Sequence, residues 1–189
     1  MDQIVGQLTN GIYTSLPKRI DIDYQQSQNT KFITNVVTSP IVIVLESPHR
    51  HEYINGVPVG PAQNTTGTLF KNKFDALISK SVVFNTISTG YHDVIMLNSV
   101  QYQCSLGHAL KTNANKCLRD QIWNNCFQNG CSQDITDRIS AIKPVCVINL
   151  CTKGFINLQL ILHTQISQFA NYTYGTHPST WNFSYAYIK

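Results

Sequence analysis

The sequence predicts an α/β fold of three layers, with helices on both faces of a mostly parallel central sheet of about four strands. Three apolar runs, Ile41 to Leu45, Asp93 to Leu97 and Val145 to Leu150, are too short for helices and too apolar for sheet edges, so they read as strands buried on both faces. Segments of helical spacing lie between them, which makes strand–helix–strand units and hence parallel pairing. The length, 189 residues, suits one domain over 1–189 with a single large core.

Taken in order, Ile4, Val5, Leu8 and Ile12 share one helical face within residues 1–16, so the chain is expected to open on a short amphipathic helix stopped by Gly11. Residues 21–30 read as a polar connector, and Lys31 to Thr38 as a short helix or turn before Pro40. The run from Ile41 ends at Glu46-Ser47-Pro48, because Pro48 has no N–H for a ladder. A glycine- and proline-rich loop follows up to Gly67, and then a helix built on Leu69, Phe70, Phe74, Leu77 and Ile78. After the second strand ends at Asn98, Ala114 to Asn129 reads as a helix on Cys117, Leu118, Ile122, Cys126 and Phe127, with Gly130 just past its end. Ser132 is expected to cap a helix carrying Ile135, Ile139 and Ile142, which Pro144 ends. Gly154 to Ala170 reads as a further helix on Ile156, Leu160, Ile161 and Ile166, and Tyr172 to Tyr174 is a last short strand.

Composition sets bounds on function. Only 13% of residues are charged and the formal net charge is +4, a mild basic bias compatible with nucleic acid and equally with an ordinary solvated surface. There is no basic segment leading into an apolar core at the amino end and no apolar run of membrane-spanning length, so the expectation is a cytoplasmic protein that binds no membrane. Cys126/Cys131 and Cys146/Cys151 share a spacing that superficially suggests zinc. Cys146 falls in a strand, however, where positions five apart face opposite ways, so no metal and no cofactor are expected. His49 and His51 lack a third ligand at sensible spacing. The six cysteines read as reduced, mostly buried thiols.

The chemistry-bearing residues gather at strand ends. Glu46, Ser47, His49 and Glu52 follow the first strand, and Asn98 ends the second, at the edge of an open α/β sheet where ligands bind. Glu46-Ser47-Pro48, Glu52, Gly56-Val57-Pro58-Val59-Gly60-Pro61-Ala62 and Thr66-Gly67 resemble the first motif of the uracil-DNA glycosylase superfamily. Leu97-Asn98 and His177-Pro178-Ser179 resemble its later motifs, in the right order, although the chain between them matches only in pattern. The resemblance implies a three-layer glycosylase-like fold in a monomer that flips a pyrimidine out of DNA and hydrolyses its N-glycosidic bond, in base-excision repair or antiviral defence.

It also implies roles. His177 is the donor to charge gathering on the base, Asn98 reads the base edge, and Glu46 supports the cation-like sugar. Ser179, Thr180 and the N–H groups near Gly60 and Gly67 would pinch phosphates, with Thr66 and Asn182 beside them. Trp181 or Phe183 would wedge into the stack, the alternative being core packing. For Asn98 the alternative is a strand-closing turn. Some family branches hold an Asp where this chain has Ser47, so water activation falls to Glu46 or Glu52. The ring that stacks on uracil in the family corresponds to Val59 here, and a bulky Tyr corresponds to His49. Both changes open the pocket toward a larger base, such as a glucosylated hydroxymethylcytosine. Some members hold an iron–sulfur cluster with amino-terminal cysteines, but the first 103 residues here contain none, so no cluster is expected. The rival expectations are a binding or sensor domain without chemistry and a hydrolase of free nucleosides.

Overall fold

The computed structural model describes residues 2–21, 39–87 and 89–189. The expected helix or turn at Lys31 to Thr38, and nearly all of the connector before it, lie outside the described residues.

The amino-terminal segment corrects the helix expected there. Gln3–Thr9 (β1) and Ile12–Asp21 (β2) are antiparallel strands joined by Asn10-Gly11, both at positive φ (49° and 79°), a turn whose twist suits a hairpin. The register shifts between Ile4 and Gly6. That bulge flips the phase of the strand, so that Ile4 packs on one face of the sheet while Val5 and Leu8 both pack on the other. An apolar spacing that imitates a helical turn is the result.

The next strand, Ile41–Leu45 (β3), is wholly buried. It is followed by a 3-10 turn at Arg50–Glu52 and a small ribbon of Tyr53–Ile54 (β4) with Val57–Pro58 (β5). Helix Asn64–Ile78 (α1) and a single helical turn at Phe84–Ile87 (α2) lead to strand Tyr91–Asn98 (β6). Helix Asn113–Cys126 (α3) runs through a widened turn at Phe127–Cys131, where Gly130 takes φ 123°, into helix Ser132–Ile142 (α4). Ser132 is the first helical residue rather than a cap, and no side chain caps that end. Strand Cys146–Asn149 (β7), helix Leu158–Ile166 (α5) and strand Tyr172–Tyr174 (β8) complete the order. The last helix is shorter than expected because Gly154 and Asn157 both take positive φ, leaving the preceding residues as a loop.

The sheet order is β2-β1-β6-β3-β7-β8. The four strands β6, β3, β7 and β8 are parallel, as the apolar runs predict, and the hairpin adds two antiparallel strands beside β6. Leu69, Phe70 and Phe74 of α1 pack on one face against Ile41, Ile43, Met96 and Ile148. Trp123 of α3, Ile135 and Ile139 of α4, and Leu158 and Leu162 of α5 pack on the other against Val42, Val44, Ile95 and Val147. Each such side chain taken fully from water contributes roughly 1.5–3 kcal/mol, so both layers are held by burial.

The connection leaving β3 crosses one face to β6, and the connections around β7 use the opposite face. Their carboxyl ends therefore diverge and leave a crevice between β3 and β7. At the far side of the sheet, the last residues lie along β8. Gly175 bridges Ile188, the Lys189 N–H donates to the Tyr174 carbonyl (2.8 Å), and the Thr176 N–H donates to the Tyr187 carbonyl (2.9 Å). Among the described residues no helix is long and apolar enough to cross a membrane.

Candidate functional site

The crevice holds a cavity of about 590 Å³, lined from β3 by Glu46 and Ser47, from the following loop by His49, His51 and Glu52, and from α1 by Asn64, Thr65 and Thr66. Lys116 and Arg119 of α3, Thr152 and Phe155 after β7, and His177 and Ser179 after β8 close it.

Glu46 sits at its centre because its backbone cannot move. The Glu46 carbonyl accepts from Ser99 Oγ (2.7 Å), Trp123 Nε1 (2.8 Å) and the Val100 N–H (3.0 Å). Its carboxylate accepts from Arg119 Nη1 at 3.0 Å and from the Thr152 N–H at 3.3 Å, and lies 3.4 Å from His177 Nε2. Arg119 is fixed in turn by Asp120, which is fully buried, pairs with Arg119 Nε and also accepts the Phe155 N–H. One carboxylate thus orders both the guanidinium on Glu46 and the loop after β7. That loop presses so close that a side chain on Gly154, at φ 60°, would run into Asp120.

His177 has a defined tautomer. Its Nδ1 accepts the backbone N–H of Ser179 (3.2 Å) and lies 2.8 Å from Ser179 Oγ. An amide N–H can only donate, so the ring proton of the neutral imidazole is on Nε2, the atom facing Glu46. The side chain is 14% exposed, and burial pulls its pKa down, with Glu46 opposing and Arg119 reinforcing that shift. A neutral ring with its one N–H aimed into the cleft is the outcome.

Glu52 is the second carboxyl group of the cleft. It is 5% exposed, accepts the Ala62 N–H (3.0 Å) and the Asn98 amide (3.2 Å), and burial pushes its pKa up to about 7 against the pull of those two bonds. Asn98 itself is 1% exposed and does not line the cavity. This corrects its expected place on the base edge, since β6 runs through Asn98 and turns its amide onto Glu52. The amide's single oxygen, Oδ1, has no hydrogen-bond partner among the described residues.

The remaining expected residues divide. Ser47, His49, Glu52, Thr66 and Ser179 line the cleft beside Glu46 and His177. The others do not. Val59 N–H donates to the Glu52 carbonyl (2.8 Å) and the Val59 carbonyl accepts from Gln63, so it acts through backbone alone. Gly60 is buried against Gln3, whose side-chain amide any Cβ there would meet. Gly67 lies inside α1, which begins earlier than expected, and faces a smaller cavity of about 260 Å³. Thr180 Oγ1 donates to the His177 carbonyl (2.7 Å), which fixes the histidine's turn instead of a phosphate.

Trp181 is 2% exposed, stacks on Phe70 at 5.6 Å, and donates through Nε1 to the Thr176 carbonyl (2.8 Å). It is core packing and no wedge. Asn182 is exposed beyond it, away from the cavity lining, and Phe183 is exposed and stacked on Tyr185 at 5.3 Å.

Arg119, Lys116, Asp120, Thr152 and Phe155 escape a sequence reading. Helix α3 buries Arg119, Asp120 and Trp123, while of the expected face Ile122, Cys126 and the following Phe127 pack on the core and Leu118 is exposed. The available signal was Trp123 and Phe127 four residues apart, with Arg119 one turn before. Among the described residues no group of three or more His, Cys, Asp or Glu side chains could hold a metal ion. No protein-family model matches the chain, and no curated protein or solved structure is significantly similar to it.

Proposed function

We propose that the chain is a DNA glycosylase of the uracil-DNA glycosylase type, which hydrolyses the bond between a flipped pyrimidine and its deoxyribose. The observation that carries this reading is the pair of Glu46 and His177 across one cleft, with His177 Nε2 3.4 Å from a carboxylate held by Arg119 and Thr152.

When the glycosidic bond breaks, its electron pair leaves with the base and gathers on O2 of the ring. The His177 N–H supports that charge, a device typically worth about 3 kcal/mol per donor. The sugar becomes cation-like at the same moment, and the fixed Glu46 carboxylate supplies the opposing charge. Water then adds to C1′. Glu52, with a pKa of about 7, takes its proton, and the leaving base is protonated from solvent. Substrate enters as a base swung from the stack, at a cost of a few kcal/mol. The cleft, at about 590 Å³, also has room for a pyrimidine carrying a sugar substituent, which supports a glucosylated cytosine as the substrate.

The deciding experiment measures free base released from oligonucleotides carrying deoxyuridine or glucosylated 5-hydroxymethyldeoxycytidine. The expected result is base release with an alkali-labile site left behind, slowed about 10²–10³-fold in His177→Ala. Undiminished turnover in that variant, or no release from any substrate, overturns the reading. A second reading, binding without chemistry, is favoured by the three groups that already surround the Glu46 carboxylate, Arg119, the Thr152 N–H and His177. It predicts tight binding of the same oligonucleotides with no abasic product.

A further inference from the structure

We infer that Phe155 is the ring on which the substrate's base stacks, and that the stacking platform of the cleft is supplied from the loop after β7 rather than from the loop after β3. Three observations bear on this. Among the described residues Phe155 is the only Phe, Tyr or Trp that lines the cavity, and it is 57% exposed. A large ring left open to water in the cleft offers an apolar face that a flat partner can cover.

Its backbone is not free to fold the ring away. The Phe155 N–H is bonded to the fully buried Asp120, and Gly154 lets the chain approach that carboxylate with no side chain between. The ring is thus carried on the same support that aligns Arg119 with Glu46. A base laid on it lies beside the charged groups of the cleft. Val59, by contrast, is outside the cavity. Base–aromatic stacking tolerates any base, so the ring supplies affinity and placement and leaves the choice of base to the polar lining.

The inference rests on the glycosylase reading for its catalytic consequence, but its binding consequence can be read without turnover. The probe is a single-stranded oligonucleotide with one deoxyuridine or one glucosylated hydroxymethyldeoxycytidine, compared with the same strand bearing a stable abasic analogue at that position. In Phe155→Trp, the new indole emission, taken as the difference from the parent protein, is quenched by the base-bearing strand and not by the abasic one. In Phe155→Ala, KM rises about tenfold while kcat changes little, and Phe155→Tyr restores KM.

Turnover by the parent protein with an unchanged KM in Phe155→Ala, or equal quenching by both strands, overturns the stacking role and leaves the glycosylase reading standing. Base-dependent quenching with no turnover by the parent protein keeps the stacking role and removes the glycosylase reading. Neither quenching nor turnover removes both. Because Phe155 is exposed, its replacement does not threaten the fold.

Discussion

Glu52 and His177 are where single residues set the pH behaviour. A carboxyl group whose pKa is raised on folding, here from 4.5 to about 7, binds its proton more tightly in the folded chain. The folded state is therefore favoured by that proton below about 4.5, and the advantage is lost as pH rises through 7, at a cost of order 3 kcal/mol above it. Glu52→Gln removes the titrating group. Urea denaturation at about pH 5 and about pH 8 is expected to show the parent protein weakening, relative to this variant, by about that amount. In the glycosylase reading the rate of the parent protein climbs with pH through 7 as Glu52 ionises, and that limb vanishes in Glu52→Gln. For His177, burial is the main cause that lowers its pKa, and removing the Arg119 cation in Arg119→Met takes away the second, so that only burial still opposes Glu46. The imidazole is then expected to titrate at higher pH, as NMR of the ring protons will report.

At the scale of the element, the loop between β7 and α5 is the piece most constrained by its surroundings. Gly154→Ala puts a methyl group into the Asp120 carboxylate at a backbone φ of 60°, so a loss of about 1–3 kcal/mol in chemical denaturation is expected, with the Phe155 N–H freed for exchange. This loop also marks the limit of what the sequence shows. The strands β3, β6 and β7 were legible because burial on both faces leaves an unbroken apolar run, and no helix of that length competes. The hairpin was misread because its bulge breaks the alternation by which a strand is recognised, although Asn10-Gly11 is a hairpin signal in itself. Glu46, His177 and Ser179 were legible from strand ends. Arg119 and Asp120 were not, since a charged pair buried on a helix looks from sequence like a solvated face until its partners on other strands are known.

The molecule as a whole ties its antiparallel and parallel halves together beneath the cleft. Arg138 of α4 donates to both Asp2 oxygens (2.9 and 3.0 Å) and to the Asn98 carbonyl (2.9 Å), joining the start of the hairpin to the end of β6, whose Asn98 side chain holds Glu52. Asp2→Ala removes two charge-assisted bonds from the buried Arg138, which stays paired with Asp134, so a loss of about 1.5–3 kcal/mol in chemical denaturation is expected. The same view extends to the opposite border, where residues 187–189 run along β8. A strand left bare there would offer its amides as a template for further chains. The covering segment takes up amides of that border, and the same few bonds anchor Thr176, one residue before the imidazole.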